Sequence, residues 1–453
     1  MFLKSWQIQM DLQQKFQKHI DDNFPFLKNK KLLIAASGGI DSTVCIHLLR
    51  NLNFKISLAH CNFNLREKES ELDELFVKEE AQNLQIPFLV KSFDTIAHAN
   101  NNKLSVQLAA RELRYEWFDE LIFQNDFDHL ITAHHLDDSL ETFLINFTRG
   151  TGLDGLTGIP EINDKIIRPL LPFTREEIEA YARKNNLDWR EDSSNLQTKY
   201  LRNKLRHDLI PILKDLNQNF MNTFARTVDN LRGSEQIIKD RIESIADEIE
   251  GSQGGIHQFN ISKIKKLSNP NAYLFEILKD YGFTDWKEIV SLLNAQSGKQ
   301  IFSKTHRLVK DRGFFLLTTI ESEEKNNNSV IHENDKEFMS KDLCLKFDKG
   351  NFQSLKSGSK ASITVDKNLL KFPLVVRKWE KGDYFYPDGM KGKKKLSKYF
   401  KDEKMSLLEK EKIWLLCTKE NKIVWVIGKR LDDRFRVTDK TIEILKIENE
   451  TFT

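Results

Sequence analysis

Between Lys31 and about Lys184, short apolar runs alternate with longer stretches in which apolar residues recur every three or four positions. LLIAA (32–36), KISLAH (55–60), PFLVK (87–91) and HLITAH (129–134) read as buried strands. TVCIHLLRNL, the charged run from Arg66 to Leu84 and LDDSLETFLINFTR read as helices between or after them. Ahead of the fourth strand the pattern predicts one long helix, with Val106, Leu108, Ala109, Leu113, Trp117 and Leu121 as its apolar stripe. Strands alternating with helices predict βαβ units, hence an α/β fold with a doubly wound parallel sheet covered on both faces.

Beyond about residue 174 the periodicity is helical, in TREEIEAYARKNN and KYLRNKLRHDLIPIL. A central segment begins helical, in NAYLFEILKDYGF, and ends in RLVKDRGFFLLTTI, which reads as strands. ESEEKNNNSVIHENDKE (321–337) is charged, Asn-rich and poor in apolar residues, as a loop or linker is. KIVWVIG marks a strand in the last part. The expected organisation is an N-terminal α/β domain over 1–215 and a mainly helical central domain over 216–330. A linker and lead-in segment over 331–370 then precedes a small α+β domain over 371–453. No internal repeat is visible.

A length of 453 residues suits two or three such domains. With 40% hydrophobic and 30% charged residues the chain reads as soluble and globular. The net charge of +3 is small, so affinity for nucleic acid has to come from local clustering. Cys45, Cys61, Cys344 and Cys417 stand far apart with no CxxC pair, which argues against a disulfide framework, a zinc site or a redox dithiol. The opening MFLKSWQIQMDLQQKF lacks the apolar run of a signal peptide, and no stretch approaches the roughly 18 apolar residues of a membrane span. A cytoplasmic protein without membrane contact is expected; the oligomeric state stays open, a homodimer included.

The first chemistry lies where LLIAA runs into Ser37-Gly38-Gly39-Ile40-Asp41-Ser42 and a helix begins at once. Glycines let backbone N–H groups close on a phosphate, and the helix N-terminus adds donors and positive potential. Ser37 and Ser42 add hydroxyls, and Asp41 can hold Mg2+ against the phosphates. No lysine follows the glycines, so this is not the GxxxxGK[ST] loop. The motif resembles the PP-loop, SGGxDS, of the ATP pyrophosphatase superfamily, whose members split ATP between its α and β phosphates. If the first and fourth strands are neighbours, as that resemblance implies, the loop lies beside His134, His135, Asp137 and Asp138 at a topological switch point. The end of the second strand, AHCNFNLR (59–66) with His60, would frame the adenosine.

AHHLDDSLET (133–142) concentrates acids in a first helical turn, where they also complement the helix dipole. Asp137 and Glu141, four apart, are expected on one face. Such carboxylates bind a cationic substrate, hold metal or accept a proton.

Further pieces follow in order: QLAARELRY (107–115), AHHLDDSLETFLINFTRGTGLDGL (133–156), RPLL (168–171), and EDSSN followed by RNKLR (191–206). Together with SGGIDS and AHCNFNLR, this block resembles the N-terminal domain of tRNA(Ile)-lysidine synthetases over roughly the first 210 residues. The resemblance implies an adenine nucleotide α-hydrolase-like fold, with Ser37, Gly38, Gly39, Ile40, Asp41, Ser42 and His60 around ATP and Asp41 on Mg2+. It brings Arg111 to the nucleotide phosphates and lines a pocket for L-lysine and the adenylate with His135, Asp137, Asp138 and Glu141. It implies adenylation of the wobble cytidine of tRNA(Ile) with a CAU anticodon, then attack of lysine on carbon 2.

Arg202 and Arg206, with Lys199 and Lys204 nearby, read either as a solvated face or, on the resemblance, as tRNA contacts. Arg111 and Arg114 could equally pair with Glu112 or Glu116, and His134 could be a core histidine. In the C-terminal part Lys391, Lys393, Lys394, Lys395, Lys398 and Lys401 cluster near Trp379, Tyr384, Phe385, Tyr386, Tyr399 and Phe400. Clustered ammonium groups neutralise phosphates and aromatics stack on bases. WEKGDYFYPDGMKGKKKLSKYF also resembles the C-terminal domain of the same synthetases, which implies tRNA binding. Competing readings are a tRNA thiolase, an amide-forming relative, and a tRNA-binding protein without catalysis.

Overall fold

The computed structural model describes residues 10–66, 68–191, 201–253, 256–320, 329–350 and 361–450. The first nine residues, Lys199, and residues 192–195 of EDSSN lie outside them. The chain forms two compact units, Met1–Lys239 and Asp240–Thr453.

In the first unit, helix α1 (Leu12–Asn23) precedes β1 (Lys31–Ala35), α2 (Ile40–Asn51), β2 (Lys55–Asn62), α3 (Lys68–Leu84) and β3 (Phe88–Ser92). Next come α4 (Thr95–Asn102), α5 (Val106–Gln124), β4 (His129–Ile131), α6 (Leu136–Arg149) and α7 (Leu153–Leu156). The edge pair β5 (Ile162–Asn163) and β6 (Ile166–Ile167) follows, then α8 (Arg175–Lys184), α9 (Leu201–Lys204), α10 (Ile210–Leu216) and α11 (Phe220–Ile249), whose last turns from Asp240 belong to the second unit. The sheet order is β3-β2-β1-β4-β6-β5, parallel except for the pairing of β5 with β6. β1 is flanked by β2 and β4, so the strand order reverses beside it and opens a crevice at its carboxyl end.

Alternation along β1 builds two cores. Leu32 and Ile34 join one with Phe16, Val44, Leu48, Ile178 and Ala182, while Leu33 joins the other with Trp117, Phe118, Leu121 and Ile122. A strand covered on both faces reads as an unbroken apolar run, as LLI does. The stripe expected on α5 is corrected at its start: Val106 and Leu108 are 42% and 52% exposed, and burial begins only at Ala109. Phe118 and Ile122 complete the packed face. The fourth strand also stops at Ile131 and not at His134, which frees Thr132–His135 to turn across the sheet edge.

The first unit runs past the expected boundary at 215 because Phe224 and Val228 of α11 pack with Leu136, Leu140 and Ile210. In the second unit, five antiparallel strands, in part the expected hairpin His306–Asp311 and Phe314–Thr319, pack with helices Ile261–Lys266, Pro270–Leu278 and Trp286–Leu292. That segment therefore pairs helices with a sheet, where mainly helix was expected. The stretch expected as linker and lead-in contributes strands Glu337–Ser340, Leu343–Gly350 and Ser362–Asp366 to a sheet completed by Ile444–Asn449. Their side chains Leu343, Leu345, Ile363 and Val365 are buried in the same core as Trp425 and Ile447. Within 321–337, strand Ser329–Ile331 pairs with Leu374–Lys378 and buries Ile331; residues 321–328 lie outside the description.

Candidate active site

The loop between β1 and α2 turns on Gly38, whose φ of +82° is a left-handed conformation that suits glycine. A Cβ there would also lie 3.3 Å from Val77 Cγ2. The Gly38 carbonyl accepts the Arg190 N–H at 3.0 Å, and Arg190 itself pairs with Asp73. Gly39 is the N-cap of α2 and no side-chain hydrogen bond caps that helix, which leaves N–H donors at its amino end beside the acidic Asp41 of the first turn. Ser42 Oγ donates to the Gly39 carbonyl (2.9 Å) and lies 3.2 Å from Ser37 Oγ, closing the turn; Ile40 is buried beneath it. His60 is buried, with Nδ1 2.9 Å from the Ala36 carbonyl, and so braces the entry to the loop from β2. Burial pushes its pKa down.

Asp41 projects from the first turn of α2, and both its oxygens accept hydrogen bonds from Arg175 Nη1 at 2.7 Å. Burial raises the Asp41 pKa, against the nearby charges of His135 and Arg175. Arg175 stands first in α8, and its main-chain N–H donates to Asp137 Oδ2 at 2.8 Å. One residue thus joins the phosphate loop to the acids of α6.

His135, the N-cap residue of α6, is buried between three carboxylates: Asp41 at 3.7 Å, Asp137 at 3.7 Å and Asp138 at 3.5 Å. Burial alone would lower its pKa, but Asp137, Asp138 and Asp41 outweigh it and raise it. Asp137 also accepts Lys214 Nζ at 3.2 Å; burial pushes its carboxyl up, yet His135 and the Arg175 N–H hold it well below the usual range. Asp138 is held down in the same way, burial being overcome by His135 and Arg202.

Glu141 is fully buried at 0% exposure and is held by Arg202 Nε and Arg206 Nε, each at 2.5 Å. The same two guanidinium groups reach Asp138 at 3.1 and 3.7 Å. Asp137 and Glu141 share the buried face of α6, as expected, but take different partners. Asp138 and Glu141, three apart, share partners, while Asp137 turns to Arg175 and Lys214.

Arg111 and Arg114 stack on Tyr115 and Phe63 at 4.9 and 5.1 Å; Glu112 lies beside His98 instead, at 3.4 Å. His134 Nδ1 lies 3.0 Å from Thr132 Oγ1, and burial pushes its pKa down to about 4. Arg175 and Lys214 were not singled out by the sequence. They sit in ordinary helical charge patterns, and only the fold brings them to Asp41 and Asp137.

In the second unit, the lysine cluster lies on a hairpin pairing Tyr384–Phe385 with Lys394–Lys395, and on the helix Leu396–Asp402. Phe385, Tyr399 and Phe400 are core residues, with Trp379 packed against them. Tyr384 stays exposed with Lys393 Nζ 3.4 Å over its ring, and Tyr386 carries Arg434 at 4.6 Å. Lys391, Lys393 and Lys395 are exposed, whereas Lys394 pairs with Asp402 at 2.9 Å.

A glycine-turned phosphate loop opening α2 at the switch point of a parallel sheet, with ionised acids beside it, defines a PP-loop nucleotide-binding protein. The PP-loop domain family model matches residues 8–213. The TilS substrate binding domain matches residues 252–320, and the TilS substrate C-terminal domain residues 374–447. The tRNA(Ile)-lysidine synthase of Parabacteroides distasonis is 39% identical over 424 residues, covering 92% of this chain and 95% of that protein. That of Bacteroides thetaiotaomicron is 37% identical over 438 residues, covering 96% and 99%. The chain belongs to the tRNA(Ile)-lysidine synthase family.

Proposed function

We propose that this enzyme joins L-lysine to carbon 2 of the wobble cytidine of tRNA(Ile) with a CAU anticodon, consuming ATP and releasing AMP and pyrophosphate. The observation that carries the reading is the set of buried His135, Asp137 and Glu141 with half-buried Asp138, charge-paired beside the phosphate loop. In this reading the SGGIDS loop cradles the pyrophosphate portion of ATP through backbone N–H groups and the α2 amino end. Transfer of the adenylyl group to oxygen 2 of the cytosine converts a poor leaving group into a good one. The lysine ε-ammonium gives its proton to a nearby carboxylate or to water and the free amine attacks carbon 2, whereupon AMP departs.

Asp41 fits a Mg2+ ligand. Its carboxylate already holds a cation, the Arg175 guanidinium, at 2.7 Å, and no cluster of three metal-ligating side chains exists among the described residues. Mg2+ held by one carboxylate and substrate phosphates needs no such cage. Bound there, it would offset charge on the departing pyrophosphate. A tRNA thiolase is disfavoured by the cysteines, since burial pushes the Cys45 and Cys61 thiols up to about 12 and that of Cys417 up to about 11. No described helix is long and apolar enough to cross a membrane, and a cytoplasmic site of action fits four cysteines far apart with no CxxC pair.

Incorporation of labelled lysine into an unmodified tRNA(Ile) CAU transcript, dependent on ATP and on the wobble cytidine, is the expected result. Release of AMP without incorporation would keep the adenylating activity and reject lysine as nucleophile. The hairpin lysines give a second expectation. Replacing Lys391, Lys393 and Lys395 with Ala weakens tRNA binding and lowers the log–log salt slope by about two to three. Replacing Lys394 alone, already paired with Asp402, changes the slope far less. A salt slope unaltered in the triple variant removes the hairpin from the tRNA interface.

A further inference from the structure

Arg168 follows β6 at the carboxyl edge of the sheet and is only 6% exposed. A buried cation is costly unless an anion pairs with it. Arg168 Nη1 donates to the Pro160 carbonyl at 2.8 Å, but its Nε is buried with no hydrogen-bond partner. Among the described residues no Asp or Glu forms an ion pair with it. Arg175, Arg190, Arg202 and Arg206 of the same unit all have such a partner.

The surroundings add positive charge where a structural pair would cancel it. Arg111 stacks on Tyr115, and its charge opposes that of Arg168; the Tyr115 hydroxyl is the neighbour that favours it. Burial is the largest influence and pushes the Arg168 pKa down. His134, three residues beyond β4, is also close enough for Arg168 to depress its basicity. Two guanidinium groups, Arg168 and Arg111, thus stand near one another on this edge, and among the described residues no carboxylate pairs with Arg168.

We propose that Arg168 binds a phosphate group of a substrate, with Arg111 beside it across Tyr115. A guanidinium with an unused Nε offers the planar fork that takes a phosphate through two charge-assisted hydrogen bonds. The inference rests on the lysidine reading only for the source of that phosphate, which is either ATP or the tRNA backbone next to the wobble base.

The test uses the full-length protein with Arg168→Met, which keeps the bulk and removes the charge, and with Arg168→Lys. Three quantities are read: the Kd for Mg2+–ATP by calorimetry, the Kd for the tRNA transcript across a salt series, and the Tm of the unliganded protein. Arg168→Met is expected to weaken one of the two ligands about ten-fold, while the unliganded Tm holds or rises, because an uncompensated buried charge has gone. Loss on the tRNA arm, with the salt slope lower by about one, assigns the phosphate to the RNA backbone. Loss on the ATP arm assigns it to the nucleotide. Unchanged affinity for both ligands overturns the proposal, and so does a lower Tm with both affinities intact.

If Arg168→Met does not fold, Arg168→Lys carries the test. It keeps the charge, loses the fork and is expected to bind the same ligand about three-fold more weakly; unchanged binding overturns the proposal. Failure of the unaltered protein to bind the transcript would count against the lysidine reading instead and leave the ATP arm to decide.

Discussion

Asp41→Ala is expected to lower tRNA-dependent AMP release by about a thousand-fold, the scale on which one preorganised charge-stabilising group acts, while tRNA affinity stays within error. Asp41 stands in the first turn of α2, beside the loop turned by Gly38, and it is the carboxylate that already holds a cation there. Its removal leaves the Arg175 guanidinium without that partner but still bonded to Glu179 at 2.9 Å, so the fold should survive. Asp41→Asn is the sharper control, since it keeps the shape and loses only the charge. AMP release and transcript binding, measured on the same preparation, decide the matter. Normal AMP release from either variant would remove Asp41 from the nucleotide site.

Glu141→Ala carries the largest expected effect on stability. Its carboxylate is fully buried and is the shared acceptor of Arg202 and Arg206, so its loss strands two guanidinium groups against Asp138 alone. Breaking a buried ion pair costs about 3–5 kcal/mol; because both arginines also reach solvent, about 2–4 kcal/mol is the better expectation here. For a unit of this size that is a fall in Tm of roughly 5–12 °C, accompanied by loss of lysine transfer. Calorimetric unfolding of the variant gives the first quantity and labelled-lysine incorporation the second. A Tm equal to that of the parent would show that the two arginines do not depend on Glu141.

The α/β architecture was legible because a strand buried on both faces must be apolar throughout, and LLI is. The phosphate loop was legible for a related reason: the left-handed turn at Gly38 favours glycine, so the geometry leaves its mark in the residues themselves. Ion pairs between distant segments leave no such mark. Nothing local in TREEIEAYARK shows that Arg175 meets Asp41, 134 positions away, or that Arg202 and Arg206 turn inward onto Glu141. The strands inside 331–370 were hidden by their mixed polarity. LCLKFDKG buries Leu343 and Leu345 but leaves Lys346 exposed, and it is strand pairing with Ile444–Asn449 that orders it. The aromatics around the lysine cluster misled in the opposite direction, since Phe385, Tyr399 and Phe400 serve the core and leave Tyr384 and Tyr386 at the surface side.

The hydrogen bond from the Arg175 N–H to Asp137 has a bearing on how this enzyme can change. Asp137 satisfies one of the amide donors at the start of α8, a service whose loss from a helix typically costs about 1 kcal/mol. Enzymes commonly hold their reactive groups at the expense of stability, so that discarding such a group makes the protein firmer. Under the proposed function, the same Asp137 carboxylate serves both ends. A lineage drifting away from its chemistry at this position would gain no firmness in compensation, and selection for a folded chain alone would tend to keep the aspartate in place.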